Sequence, residues 1–336
     1  MSLNTRQKRR RELREEYVEQ TGLIFKLPDE TLLTIFKYFS TEELILVAGF
    51  VCSFVHLILF CNLIFNRTCK WFRNIAYDEE LWTTIDLTSK TYSNRQLTKF
   101  FHRFPREATE ILKISGEISH KNSGVPPPYI EQVNSLIRSS YSNLRDLHII
   151  QYNFNSNVTT VNNITCLPTN LHGLYFKRCE IPVRAMSNSV TFFQLPTKSL
   201  KNSTTNFSLQ QLEIFSVENC VCMISSALES LPNLCPKLVE LNLNGCYRIT
   251  PTSAFVNMLL SYSNTLRRLY LSETKITDDT IHSICRKLKR LNQFDIRECN
   301  QVTVNIVENL LTLNQLEILL ANDSIRNLYD QKKLES

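Results

Sequence analysis

Cysteine and histidine are the residues of this chain best suited to chemistry, as metal ligands or catalytic groups. The 336-residue chain contains eleven cysteines and six histidines. The densest group is Cys220 and Cys222, with Cys235 further along the chain. A zinc site needs two closely spaced pairs of ligands, and these two intervals do not supply them. We therefore expect no metal site and interpret the three residues as one repeat-turn cysteine and two helix-face cysteines.

The histidines are not accompanied by a catalytic motif. None lies near a Gly-x-Ser-x-Gly, Cys-x-x-Cys or His-Glu-x-x-His sequence, and the six glycines leave no phosphate-binding loop. The patterns that position a nucleophile, a general base or a zinc-bound water are thus missing from the sequence. We expect a non-catalytic protein without cofactor or small-molecule substrate, whose function resides in binding surfaces.

Four cysteines recur at one position of a repeated pattern. Cys179, Cys220, Cys246 and Cys299 each occupy the ninth position of Leu-x-x-Leu-x-Leu-x-x-Cys or a close variant. A small buried side chain suits the turn after a strand, so these thiols are expected to stack along a solenoid and not to form disulfides. The N-terminus lacks a signal-peptide pattern, and together these observations indicate a reducing compartment, the cytoplasm or the nucleus.

The pattern predicts a repeat architecture. Its nine units begin at Trp82, Thr109, Leu144, Leu171, Leu212, Leu238, Leu266, Leu291 and Leu316. Six of the eight intervals are 25–28 residues, and those of 35 and 41 residues contain insertions. Leucine-rich repeats have periods of roughly 20–29 residues and contribute a strand and a helical segment each. We therefore predict an α/β solenoid, a curved leucine-rich-repeat horseshoe with a concave parallel sheet and convex helices.

The strands predict a binding surface. Side chains alternate along a strand, so the residues between the buried leucines face the concave side, Asp146, His148 and Gly173 among them. Tyrosine and arginine are enriched where interfaces concentrate binding energy. For any single residue a solvated sheet face is the alternative. As a set, we predict that a protein substrate is bound by Tyr175, Lys177, Ser216, Asn242, Asn244, Arg268, Tyr270, Asp295 and Arg297.

An amphipathic helical hairpin precedes the repeats. Leu32, Ile35 and Phe36 fall on one face of a helix that begins after Pro28. Ser40 and a glutamate three residues later form a capping box that opens a second helix. So small a unit exposes more apolar surface than it can bury alone, and we therefore expect it to bind a partner.

This hairpin resembles the F-box, the module that docks on the adaptor Skp1. The resemblance extends through Cys69 to the segment 78–82, with Phe72 in the place of a tryptophan that is usual in the family. An F-box followed by cysteine-containing repeats is similar to the F-box/leucine-rich-repeat family, the substrate receptors of SCF ubiquitin ligases. The resemblance implies binding to Skp1 and, through it, to a cullin and a RING protein. It implies Skp1 contacts from Leu27, Pro28, Leu32, Ile35, Phe36, Leu44, Cys69, Phe72, Leu81 and Trp82.

We divide the chain into a charged tail (1–22), the F-box (23–82), the repeats (82–325) and a C-terminal tail (326–336). An apolar insertion near residues 49–67 interrupts the F-box. The run from Leu44 to Asn66 has no Asp, Glu, Lys or Arg and is long enough to span a bilayer. Because the two halves of the F-box rejoin in register without it, we favour a translated unspliced intron. A genuine insertion and a membrane span are the alternatives.

The remaining features carry little weight. The net charge of +6 is mild, and no basic stripe alternates with aromatic residues, so we expect no nucleic-acid partner. The basic run Lys8–Arg11 is read as part of a solvated helix, with nuclear import as the alternative. The PPxY sequence at 126–129 is read as a surface loop, with a WW-domain ligand as the alternative.

The alternative function of the protein is a repeat scaffold or membrane-anchored receptor outside the ubiquitin system.

Overall fold

The computed structural model describes residues 27–47, 75–90, 92, 97, 100–101, 107–116, 143–152, 167–168, 170–180, 209–221 and 223–335. The charged tail, the apolar insertion, the PPxY sequence and Cys222 lie outside these residues, and what we expect of them stays a prediction. Among the residues that the structure describes, no helix has the length and apolar character needed to cross a membrane.

Two short helices open the described chain. Helix α1 (Asp29–Phe36) begins after Pro28, and acidic residues occupy its first turn, where the helix dipole favours them. Helix α2 (Thr41–Val47) begins with the predicted capping box. The Ser40 backbone N–H donates to Glu43 Oε2 over 2.7 Å, and the Glu43 N–H donates to Ser40 Oγ over 3.3 Å. A 3₁₀ turn, Glu79–Trp82, leads into the sheet.

In the part of the chain that the structure describes, nine parallel strands form one open sheet in sequence order. They are β1 (Thr84–Leu87), β2 (Ile111–Ser115), β3 (Asp146–Ile150), β4 (Gly173–Lys177), β5 (Ile214–Glu218), β6 (Glu240–Asn242), β7 (Arg268–Tyr270), β8 (Gln293–Asp295) and β9 (Ile318–Leu320). Each predicted repeat unit supplies one of these strands. The predicted α/β solenoid with a parallel leucine-rich-repeat sheet is confirmed.

Helical segments follow the later strands, as predicted. They are a 3₁₀ turn (Ser225–Leu228) with α3 (Leu231–Leu234), α4 (Ser253–Leu260), α5 (Asp278–Lys287), a 3₁₀ turn (Val304–Ile306) with α6 (Val307–Leu311), and α7 (Asp323–Glu335). The residues set aside as a C-terminal tail thus form most of α7. In α5 the apolar residues recur at helical spacing, and Ile281, Ile284 and Cys285 are buried.

The core lies between the sheet and these helices. The second repeat leucine of each unit pairs in register with its neighbours, from Ile85 in β1 to Leu319 in β9. Each of these side chains is buried. A second row, two residues further along each unit, is buried from Leu87 to Ile296. Full burial of such a side chain stabilises the fold by about 2 kcal/mol. One repeat alone cannot bury its apolar side chains, and stacking against neighbouring repeats buries them.

The ninth-position cysteines are buried free thiols, and their S–H groups donate hydrogen bonds to backbone carbonyl oxygens. The thiol of Cys246 donates to the Val217 carbonyl over 2.9 Å, and that of Cys299 donates to the Leu271 carbonyl over 3.1 Å. In both cases the acceptor belongs to the preceding repeat. Burial raises the pKa of Cys246 to about 12, so the group stays a thiol at neutral pH. Among the described cysteines, stacking without disulfides is confirmed.

The third repeat departs from the small ninth residue. Tyr152 occupies this position after β3, and its side chain is buried. Its ring fits because Gly116 of the preceding repeat has no side chain. A Cβ at position 116 would lie 2.7 Å from the Tyr152 ring. The repeat pattern therefore tolerates a large residue where a neighbouring repeat makes room for it.

Candidate binding surfaces

Polar and partly exposed side chains form three rows across one face of the sheet, which we call the open face. The middle row contains Asp86, Lys113, His148, Tyr175, Ser216, Asn242, Tyr270, Asp295 and Leu320. The first row contains Thr84, Ile111, Asp146, Gly173, Ile214, Glu240, Arg268, Gln293 and Ile318. The last row contains Ser115, Ile150, Lys177 and Glu218, and continues past the strands with Asn244, Ser272 and Arg297.

Near the C-terminal end of the open face, a buried carboxylate accepts hydrogen bonds from two side chains. Asp295 is 0% exposed, and its two oxygens accept from Arg297 Nε over 3.0 Å and Nη2 over 2.7 Å. Asn244, two repeats earlier, donates its amide to the same carboxylate over 3.3 Å. The hydrogen bond to Asp295 raises the pKa of Arg297 above its ordinary value. The arginine is therefore held as a fixed cation on the surface.

Two ion pairs cross between neighbouring strands in the middle of the open face. Lys177 Nζ lies 2.9 Å from Glu218 Oε1, and Arg268 Nε lies 2.5 Å from Glu240 Oε2. The Tyr270 hydroxyl donates to Gln293 Oε1 over 2.6 Å. The parallel register places the two residues of each ion pair directly opposite each other on neighbouring strands, where opposite charges stabilise a sheet. These side chains are therefore already partnered before any substrate arrives.

An aromatic pair marks the other end of the open face. The rings of His148 and Tyr175 stack with centroids 4.0 Å apart and planes 1° apart. Burial, followed by the charge of Lys113, lowers the pKa of His148 to about 4, so the imidazole is neutral at pH 7. Burial, followed by the charge of Asp146, raises the pKa of Tyr175 to about 12. Both rings are half-buried and leave part of their surface to solvent.

The predicted substrate residues all lie on this face, in the middle row, the first row or the last row. They differ in exposure, because Ser216 and Asp295 are buried whereas Arg297 is exposed. Sequence reasoning left out Asp86 and Lys113, whose side chains lie 3.5 Å apart on the first two strands. Strand alternation could have predicted Asp86 on the open face, because it lies between two buried residues of the first repeat unit. Whether the face binds a substrate remains a prediction.

The F-box residues divide by burial. Five of the residues expected to contact Skp1 are buried within this chain: Leu32, Phe36, Leu44, Leu81 and Trp82. Leu27 is partly buried and Pro28 is exposed. Ile35 is 37% exposed, and Tyr38, which the sequence did not single out, is 87% exposed. Cys69 and Phe72 lie outside the described residues. Among those described, the large exposed apolar residues at and just after the C-terminal end of α1 are thus Ile35 and Tyr38.

The helical pair is fixed to the first repeat by polar contacts. The Asp86 N–H, at the free edge of β1, donates to Thr41 Oγ1 over 2.9 Å. Glu42 of α2 accepts from the hydroxyl of Ser89, from Lys90 Nζ over 2.9 Å and from the Tyr92 hydroxyl over 3.2 Å. Although burial opposes it, these donors lower the pKa of Glu42. The first repeat and the helical pair therefore form one continuous surface.

Comparisons with known proteins agree with this architecture. The F-box-like family model matches residues 24–88. F-box/LRR-repeat protein 12 of Bos taurus is 25% identical over 296 residues, which cover 87% of this chain and 78% of the relative. The matched domain contains both helices and the first strand, and the relative extends the similarity through the repeats. The chain therefore contains an F-box-like domain and is similar, over most of its length, to an F-box/LRR-repeat protein.

Proposed function

We propose that this protein is the substrate-recognition subunit of an SCF ubiquitin ligase, binding Skp1 through its F-box and a protein substrate through the open face. The F-box-like domain and the relation to an F-box/LRR-repeat protein support a substrate adaptor of this general type. Skp1 would connect the chain to a cullin and a RING protein. The adaptor would raise the local concentration of substrate lysines near the charged ubiquitin carrier. It would perform no covalent step itself.

The exposed apolar surface of α1 is the observation that carries the Skp1 proposal. Ile35, near the C-terminal end of α1, and Tyr38, two residues after this helix, are exposed, whereas Leu32 and Phe36 of the same helix are buried in the chain. Large apolar side chains exposed together are typical of interaction sites. The buried residues of the predicted set would then support the surface, and Leu27, Pro28, Ile35 and Tyr38 would touch the partner.

A binding role without catalysis is proposed from the relation to F-box/LRR-repeat proteins. The burial of the six described cysteines keeps these thiols from acting as nucleophiles. The charged groups of the open face are mostly partnered within the sheet, as expected for a preformed binding surface.

Co-purification with Skp1 tests the proposal. We expect the full chain to retain Skp1, and Ile35→Asp to lose at least about tenfold in affinity, because the substitution places a charge at an apolar interface. Ile318→Asp is the matched control, since Ile318 is 44% exposed at the far end of the sheet. A chain lacking residues 50–67 is compared in parallel to test the insertion. Failure of both the full and the shortened chain to retain Skp1 would contradict the proposal.

A further inference from the structure

The charges of the open face are almost all neutralised inside the sheet. Its three rows hold five carboxylates, and four of them form ion pairs with the four lysine and arginine residues of the same rows. The pairs are Asp86 with Lys113, Glu218 with Lys177, Glu240 with Arg268, and Asp295 with Arg297. The carboxylate group of the fifth, Asp146, forms no ion pair or hydrogen bond with a described residue. The open face therefore has one unpartnered negative charge, at a defined place.

The surroundings of Asp146 are aromatic. It lies in the first row beside Gly173, and a Cβ at position 173 would lie 2.2 Å from Asp146 Oδ1 and 2.9 Å from the Tyr175 hydroxyl oxygen. The missing side chain thus lets the carboxylate and the tyrosine ring approach each other over the backbone of β4. His148 stacks on this ring from the neighbouring strand. One carboxylate and two stacked rings consequently share a small area.

The electrostatics of this cluster favour a cation from outside. Burial raises the pKa of Asp146 above its ordinary value, although the charges of Arg145 and His172 oppose this. A carboxylate that has lost part of its hydration gains more from an added cation than a fully solvated one. His148 does not supply that cation, because burial and Lys113 lower its pKa to about 4. An aromatic ring beside the carboxylate also attracts cations through its π face.

We infer that Asp146, Tyr175 and His148 form a subsite for a basic side chain of the bound protein substrate, with arginine preferred over lysine. The planar guanidinium pairs with the carboxylate of Asp146 and lies against the tyrosine ring, whereas an ammonium group has no plane to stack. The inference rests on the proposed function, since it assigns the substrate's chemistry at the open face. It adds a requirement for a basic residue in the recognised segment.

A displayed library of random peptides, sorted on the purified full chain, tests the subsite. The wild-type chain is expected to enrich arginine, and lysine less strongly, at one peptide position. Asp146→Asn, which keeps the shape of the side chain, is expected to reduce this enrichment to background. It should also weaken binding of the best arginine peptide by about tenfold, the effect of losing one charge-assisted hydrogen bond. Asp146→Lys is expected to select aspartate or glutamate at that position.

Glu218→Gln is the matched control, because it removes one carboxylate of the same face that already has a lysine partner. It is expected to leave the arginine enrichment unchanged. The subsite is overturned if the wild-type chain enriches no basic residue, or if Asp146→Asn enriches arginine as strongly as the wild type. Skp1 retention is measured on the same preparations. A chain that binds Skp1 but shows no basic preference refutes the subsite alone, whereas loss of Skp1 binding refutes the ligase assignment.

Discussion

Six residues just after the strands adopt left-handed backbone conformations. They are Gln151, Arg178, Asn219, Gly245, Glu273 and Glu298, with φ between 54° and 72°. Their N–H groups extend the ladder beyond the strands: that of Gly245 donates to the Ser272 carbonyl, and that of Glu273 to the Arg297 carbonyl. Only one of the six is glycine, and each of the others stores about 1 kcal/mol of conformational strain. The repeat stacking is strong enough to maintain this strain.

Gly245→Ala is expected to destabilise the protein by about 1–3 kcal/mol. The new Cβ would lie 2.1 Å from Asn219 Oδ1, and φ is 72°. Glu273→Ala is the control, because this equivalent position in the next repeat already carries a Cβ at φ 59°. It is expected to change stability by less than about 0.5 kcal/mol. The urea concentrations at the unfolding midpoints measure both effects. Equal midpoints for the two variants would show that the close approach to Asn219 does not destabilise the Gly245→Ala variant.

Helix α7 is the element that ends the solenoid. Arg326 donates to the Leu319 carbonyl, which faces the free edge of β9, and its Nε lies 2.7 Å from Asp330 Oδ2. Ile325 and Tyr329 are buried against the last repeat. An open sheet edge invites pairing with other chains, and a helix that covers it prevents this. The C-terminal residues are thus part of the repeat domain.

Tyr329→Ala is expected to destabilise the last repeats by about 3 kcal/mol, the usual effect of truncating a buried aromatic side chain. Hydrogen exchange should accelerate first in β9 and α6, because terminal repeats of a solenoid unfold before central ones. Leu334→Ala is the control, since Leu334 is 89% exposed. If exchange accelerated equally in β1 and β9, the local role of α7 would be refuted.

At the scale of the whole molecule, the F-box helices and the repeats share one boundary with direct contacts. The F-box helices cover the free edge of β1 at Asp86, and α7 covers the edge of β9. Trp82 belongs to both modules, as its indole donates to the Ala76 carbonyl over 2.7 Å and its carbonyl accepts from Thr109 over 2.9 Å. A substrate on the open face would therefore be held at a fixed orientation to the F-box.

Glu42→Ala is expected to loosen this boundary and to destabilise the protein by about 1–2 kcal/mol, because three donors lose their acceptor. The pKa of Glu42 is lowered in the folded state, so its contribution is present above the ordinary pKa and is lost as the pH falls through the lowered value. Hydrogen exchange should accelerate in α1 and α2 and remain slow in β5–β9. Glu229→Ala, at an exposed helix end, controls for the lost charge. Unchanged exchange in α1 and α2 would contradict this account.

The sequence by itself determined the elements of this protein. Nine repeat units predicted nine strands because two-residue alternation within a strand decides which side chains are buried. The capping box at Ser40 and the stacked thiols were predictable for the same reason, since each depends on neighbours a few residues away or on one repeat position. The family resemblance likewise rested on short motifs.

Only the tertiary structure decided which partner each side chain meets. Asp146 and Asp295 both lie on the open face, yet Asp295 is buried and ion-paired, whereas the carboxylate of Asp146 has no partner among the described residues. Likewise, helical spacing placed Ile35 and Phe36 on one face, but tertiary packing buried only Phe36. Alternation fixes the side of an element on which a residue lies. Its neighbours come from elements distant in sequence, brought together by register and packing that no local pattern encodes.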